Sequence, residues 1–189
     1  MSAAAKAPHD PRPLIGEPLS LDLLNTRWMQ DGVRQDLLTG TEGLAVWLAA
    51  NGLDGDGAGA FAADGPTLEH LLHARDALAS LVDTPEDPAG IARVDKVLRH
   101  GRIRATLTAA GPGEEPEFKD PSWGPAWLAA RDYLRLLAAA RDRIRGCAHE
   151  SCVLHFFDTS RNGTRRWCSM AACGNRAKAS RHYARSRET

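Results

Sequence analysis

Cys147, Cys152, Cys168 and Cys173 are the only cysteines in the chain. They form two Cys-x4-Cys pairs separated by fifteen residues, all in the last quarter of the sequence. Thiolates are soft ligands, and two short-range pairs joined by a modest loop can set four sulfurs at the corners of a tetrahedron around Zn2+. Four cysteines close the coordination shell, whereas a catalytic zinc keeps one position open, so the spacing points to a structural ion. Two disulfides would need an oxidising compartment, for which the sequence carries no address. An iron–sulfur cluster could also use four thiolates, although two symmetric pairs favour zinc. His149, His155 and His182 could in principle replace a thiolate, and are read as surface or phosphate-contacting groups.

The surroundings of the cysteines are basic. The net charge is zero, but residues 1–140 carry 13 Lys and Arg against 20 Asp and Glu, while residues 141–189 carry 11 against 4. An acidic body with a basic end fits a polyanionic partner at that end alone; the bland alternative is a solvated basic helix. Arg161, Arg165 and Arg166 fall between the cysteine pairs, and Arg176, Lys178, Arg181 and Arg185 follow the last cysteine. On a helix starting near Cys173, Lys178, Arg181 and Arg185 share one face and could track phosphates or enter a major groove. For Arg165 and Arg166 the competing role is fold support, through packing on Trp167 or pairing with Asp158. Phe156, Phe157 and Trp167 read as a mini-core around the metal.

The elements that must carry these residues are mainly helical. At 189 residues the chain suits one ordinary domain and a small appendage, and a hydrophobic content of 43% with only 6% aromatics suits helix-on-helix packing. Residues 1–13 read as a disordered leader. The leucines from Pro18 to Gln30 predict a first helix with Ser20 as its N-cap, broken by Asp31-Gly32. Further helices are expected from Thr41 to Asn51, from Thr67, and from Pro88 to Gly101. Alternation over 102–109, a turn at 110–113 and a return over 115–119 predict a β-hairpin. A long helix is expected over 126–145, with Gly146 as the only hinge before the cysteine module. Within the module, 153–158 reads as a strand, 159–163 as a turn and 165–167 as the return strand. The fold class is therefore mainly α with a small β-hairpin, ending in a treble-clef-like zinc finger over 146–189.

The module resembles the CGNR zinc finger family. The likeness is carried by Cys147, Cys152, Phe156, Asp158, Ser160-Arg161-Asn162, Arg165-Arg166-Trp167-Cys168-Ser169 and Cys173-Gly174-Asn175-Arg176 with Lys178. Upstream, Leu21-Asp22-Leu23-Leu24-Asn25-Thr26 and Leu44-Ala45-Val46-Trp47-Leu48 resemble the helical ABATE domain that usually precedes this finger, here over 14–145. The resemblance implies a zinc-dependent DNA-binding transcription regulator responsive to stress or to a ligand, with RNA not excluded as a partner.

The helical body carries no catalytic grammar: no Gly-rich phosphate loop, nucleophile elbow or paired-His motif is present, so the expectation is a protein that is not an enzyme. Asn25 and Arg75, polar residues embedded in apolar helices, are candidates to line a pocket for a small anionic effector; the alternative is that they are hydrogen-bonded structural residues. No apolar run reaches the roughly 20 residues needed to cross a bilayer, and a cytoplasmic location is expected. A homodimer is compatible with the pattern. The competing functional class is a zinc-containing adaptor that binds protein or RNA.

Overall fold

The computed structural model describes residues 9–55 and 60–178. In chain order the elements are α1 (Leu19–Leu24), β1 (Arg27–Gln30), β2 (Val33–Asp36), α2 (Thr41–Ala50), α3 (Gly65–Asp83), α4 (Pro88–Leu98), β3 (Gly101–Thr108), β4 (Gly111–Phe118), α5 (Gly124–Ala140), β5 (Ile144–Gly146) and β6 (His155–Phe157). Three separate antiparallel hairpins, β1–β2, β3–β4 and β5–β6, accompany the helices.

Two of the helices, α3 and α4, start where the sequence gives them caps. The Asp64 carboxylate accepts the Thr67 N–H ahead of α3, and Asp87 accepts the Ala89 and Gly90 N–H groups ahead of α4. Both helices carry proline in the first turn, where its missing N–H removes nothing from the ladder. The core gathers Leu71, Ala74 and Leu78 of α3, Ala126, Ala129, Ala130 and Tyr133 of α5, and the leucines of α1 and α2. Alanines on α5 let its neighbours approach closely. At the end of α4, the Leu98 carbonyl accepts the Trp127 indole N–H at 2.9 Å. Gly101 follows there; a Cβ at this position would lie 2.9 Å from the Trp127 ring.

Four expectations change. The stretch 18–30 is not one helix: α1 ends at Leu24, and Asp31 and Gly32, both at positive φ (51° and 78°), make the two-residue turn of a β-hairpin. Ser20 does not cap α1; its N–H and hydroxyl both donate to Asp132 of α5. The leader is partly fixed, because Arg12 is buried with its guanidinium between Asp10 and Asp22. Finally, α5 ends at Ala140 and not near Arg145, because residues 144–146 leave the helix to pair as β5 with β6.

Candidate metal centre

β5 leads into the first cysteine pair, and the backbone holds that pair in a tight knuckle. The Cys147 N–H donates to the Leu154 carbonyl, Cys152 N–H to the His149 carbonyl, and Ala148 N–H to the Arg166 carbonyl. That last bond brings the second pair against the first. Residues 165–167 do not form the expected return strand; the partner of β6 is β5, upstream of the cysteines. Cys173 sits in a π-helical turn, Met170–Gly174, that continues as α-helix over 175–178. The Ser169 hydroxyl accepts the Ala172 N–H at the start of this turn. Gly174 is buried, and a Cβ there would come within 2.6 Å of the Met170 sulfur.

The four sulfurs all lie within 4.8 Å of one another. Cys152 and Cys168 are 3.9 Å apart, and Cys168 and Cys173 3.6 Å. Tetrahedral zinc with Zn–S bonds of about 2.3 Å requires sulfur–sulfur separations of about 3.8 Å, so these residues fit the ion. The backbone supports the sulfurs: the Cys168 N–H donates to the Cys147 Sγ at 3.4 Å. Four thiolates this close repel one another. Hydrogen bonding from Cys168 holds Cys152 down to about 5, while burial pushes Cys173 up to about 11 and the bond with Cys152 pushes Cys168 up. A dication among them is what allows all four to ionise together. His149 binds Ser151 and is not in the cluster. His155 is half-buried against the body, and His182 lies outside the described residues.

The finger core merges with the body. Leu154, Phe156, Cys168 and Cys173 pack in one cluster with Trp28 of β1, and Leu14 and Leu37 border it. Asn25 faces β6: its Nδ2 donates to the His155 carbonyl (2.9 Å) and its Oδ1 accepts the His155 N–H (2.8 Å). Two residues on, the Phe157 N–H donates to Glu17 at 3.0 Å. Gly146 is therefore not a free hinge; it is the last residue of a paired strand. Asn25, one of the two candidate effector residues, is fully buried and both ends of its amide are occupied by His155. Arg75 is also buried, making paired bonds to Asp36 (2.7 and 2.9 Å) and one to Thr26 (2.8 Å).

The basic residues divide by what they already bind. Arg165 is turned into the fold: its guanidinium donates to the Trp167 carbonyl, the Cys168 carbonyl and Glu17, and it lies 4.1 Å from the Phe156 ring centroid. Its expected availability for a polyanion is corrected accordingly. The Asp158 carboxylate, held low by the Ser160 hydrogen bonds, accepts the Ser160 and Arg165 N–H groups. Arg143 ties the same loop through the Asp158 and Ser160 carbonyls. Arg161, Arg166, Arg176 and Lys178 are exposed. Arg166 stacks over Trp167 at 5.3 Å, and Arg176 reaches the Cys173 sulfur at 3.8 Å. Arg181 and Arg185 lie outside the described residues. Sequence reasoning did not find Glu17, Trp28 or Arg143 as parts of the finger; the hairpin signal Asp31-Gly32 could have revealed Trp28.

Residues 143–186 match the family model of the CGNR zinc finger. Residues 17–140 match the ABATE family model, described as "Putative stress-induced transcription regulator". No individual curated protein matches the chain. Among the described residues, no helix is long and apolar enough to cross a membrane.

Proposed function

On the premise that this chain belongs to the ABATE family and ends in a CGNR zinc finger, we propose that it is a zinc-dependent, DNA-binding transcription regulator. The zinc is a scaffold and the finger is the nucleic-acid contact. One observation carries this reading. Most exposed or partly exposed body arginines, such as Arg99, Arg102, Arg104, Arg131 and Arg141, are paired with carboxylates, whereas Arg34, Arg135, Lys96 and Lys119, on four different stretches of the body, have no ion pair among the described residues. On the finger, Arg161, Arg166 and Lys178 are exposed, and no carboxylate pairs with them among the described residues. Unpaired cations carried together by one small metal-stapled module fit the electrostatic footprint of a polyanion site. Stress responsiveness enters as the role the family description suggests for the body.

The test uses the zinc-loaded full chain and anisotropy on genomic DNA fragments, with and without a chelator. Each neutralised phosphate contributes a salt slope of about 0.9 in log K against log salt. The variant R161A/R166A/K178A should therefore bind weaker and lower the slope by about 2 to 3, with zinc content unchanged by elemental analysis. Undiminished DNA binding in this variant would reject the proposed face. Binding of RNA or protein in preference to DNA would favour an adaptor instead.

A further inference from the structure

Between body and finger lies a cavity of about 380 Å3 with one wall from each. That is within the range of small-molecule sites, about 300–1,000 Å3. Leu24 and Ala79 on the body side, and Val153 and Leu154 on the finger side, give it apolar surface. Its cationic wall is Arg27, Arg34 and Arg75.

The three arginines differ in what they already hold. Arg27 is taken up by Asp36 and Asp76, at 3.1 Å each. Arg75 gives both terminal nitrogens to Asp36 and Thr26, yet its Nε has no partner although the residue is only 2% exposed. Across the cavity, His155 Nδ1 is likewise buried and unpaired. These are two of the three such side-chain atoms among the described residues, and both belong to residues lining this cavity. Folded proteins leave few buried polar atoms without a partner, so two beside one cavity call for a polar partner there, a water or a ligand. Arg34 adds an exposed guanidinium with no ion pair among the described residues.

We propose that this seam cavity binds a small organic carboxylate with an apolar body. Arg34 meets the carboxylate, with the Arg75 guanidinium adding positive charge to the wall behind it, and Leu24, Ala79 and Val153 meet the apolar part. A singly charged ligand is favoured over a phosphate dianion, because Asp83 and the thiolates Cys147 and Cys152 also line the space. Because both walls contribute, the ligand binds the docked arrangement and stabilises it by mass action. The assignment corrects the earlier pocket: Arg75 belongs to it, and Asn25, consumed by His155, does not.

The test is calorimetry with 1H–15N spectra of the zinc-loaded full chain, and requires no DNA. Benzoate and 3-methylbutanoate are the probes, with benzamide as the neutral control and inorganic phosphate as the dianion. At least one carboxylate should bind saturably, with shifts at residues 24, 79 and 153–155. The exposed Arg34 can be replaced without disturbing the fold, and Arg34→Ala should weaken binding at least tenfold, about 1.4 kcal/mol. Arg102→Ala, on the distant hairpin, should leave it unchanged. Absence of saturable binding by either carboxylate would overturn the proposal. So would affinity unaffected by Arg34→Ala, or equal binding of benzamide or phosphate.

Discussion

Asn25→Ala isolates the bond between the two parts of the molecule. In the β5–β6 hairpin the Asp158 N–H donates to the Arg143 carbonyl and the Cys147 N–H to the Leu154 carbonyl. Alternation along β6 therefore turns the His155 and Phe157 backbone groups to the other side, where no third strand pairs with it among the described residues. The Asn25 amide takes the place of a strand partner for His155, and the Glu17 carboxylate for the Phe157 N–H. Alanine at residue 25 leaves a buried N–H and a buried C=O without partners, at about 1–3 kcal/mol each. With the small void added, the expected loss is about 3–5 kcal/mol, a large share of the roughly 5–15 kcal/mol of a typical domain. Urea denaturation of the zinc-loaded chain, followed by circular dichroism and tryptophan fluorescence, measures it. Trp28 is 6% exposed in the finger cluster, so fluorescence also reports on the seam. Separate transitions by the two probes would mean that the finger undocks first. Asn25→Asp retains size but loses the donor and buries a carboxylate, so it should cost at least as much. A loss below about 0.5 kcal/mol for Asn25→Ala, or a mild Asn25→Asp, would refute the edge-strand account.

Three other outcomes follow from the same geometry. Burial acts to raise the Asp36 pKa, but the hydrogen bonds and charge of Arg75 outweigh it and leave the carboxyl below its usual value. The stability it adds is thus complete above the unfolded carboxylate value of about 4 and is lost as pH falls through the lowered one; the gap between wild type and Asp36→Asn in denaturation midpoint should close over that acid range. Arg165→Ala strips donors from Trp167, Cys168 and Glu17 and should cost about 2–4 kcal/mol, whereas Arg166→Ala should stay within about 0.5 kcal/mol; equal costs in thermal melts would contradict their assignment to fold and surface. Elemental analysis should find one zinc per chain, with Cys168→Ser lowering its retention, and affinity falling with pH as protons compete for the thiolates.

Where local chemistry decides, the sequence was readable. The cysteine spacing placed the metal cluster, Pro88 placed the start of α4, and the alternation of Ile103, Ala105 and Leu107 placed β3, although the hairpin turns at Ala109-Ala110, and 111–113 belong to β4 and not to the turn expected at 110–113. Misreadings came from pairings the local pattern does not encode. Leucines through 19–24 extend a helical rhythm that Trp28 continues by coincidence, and β2 is too exposed and polar to alternate visibly. Nothing local ends α5 at Ala140; the distant pairing of Ile144–Gly146 with His155–Phe157 does. Likewise Arg165 and Arg166 are adjacent and chemically alike, yet a nearby carboxylate, Glu17, and two carbonyls draw only Arg165 inward.

The finger is completed by residues from the first thirty positions of the chain. Glu17 bonds both the Phe157 N–H and Arg165, Asn25 pairs with His155, and Trp28 and Leu14 fill the cluster that contains Cys168 and Cys173. Allosteric control requires a coupling free energy between two sites, carried by an element both can bias. The seam supplies such an element, since α1 and β1 touch β6 on one side while α1 packs on α3 and α5 on the other. A change in how the body packs alters the partners of β6 before it can reach the zinc ligands three and more residues away. The body's influence on the finger should then appear first as exchange of the His155 and Phe157 amides with solvent, at constant zinc content. Faster exchange of these two amides in Asn25→Ala, with Cys147 and Cys152 N–H groups still protected, would separate docking from metal retention. Simultaneous loss of all four protections would mean that seam and metal centre form one cooperative unit.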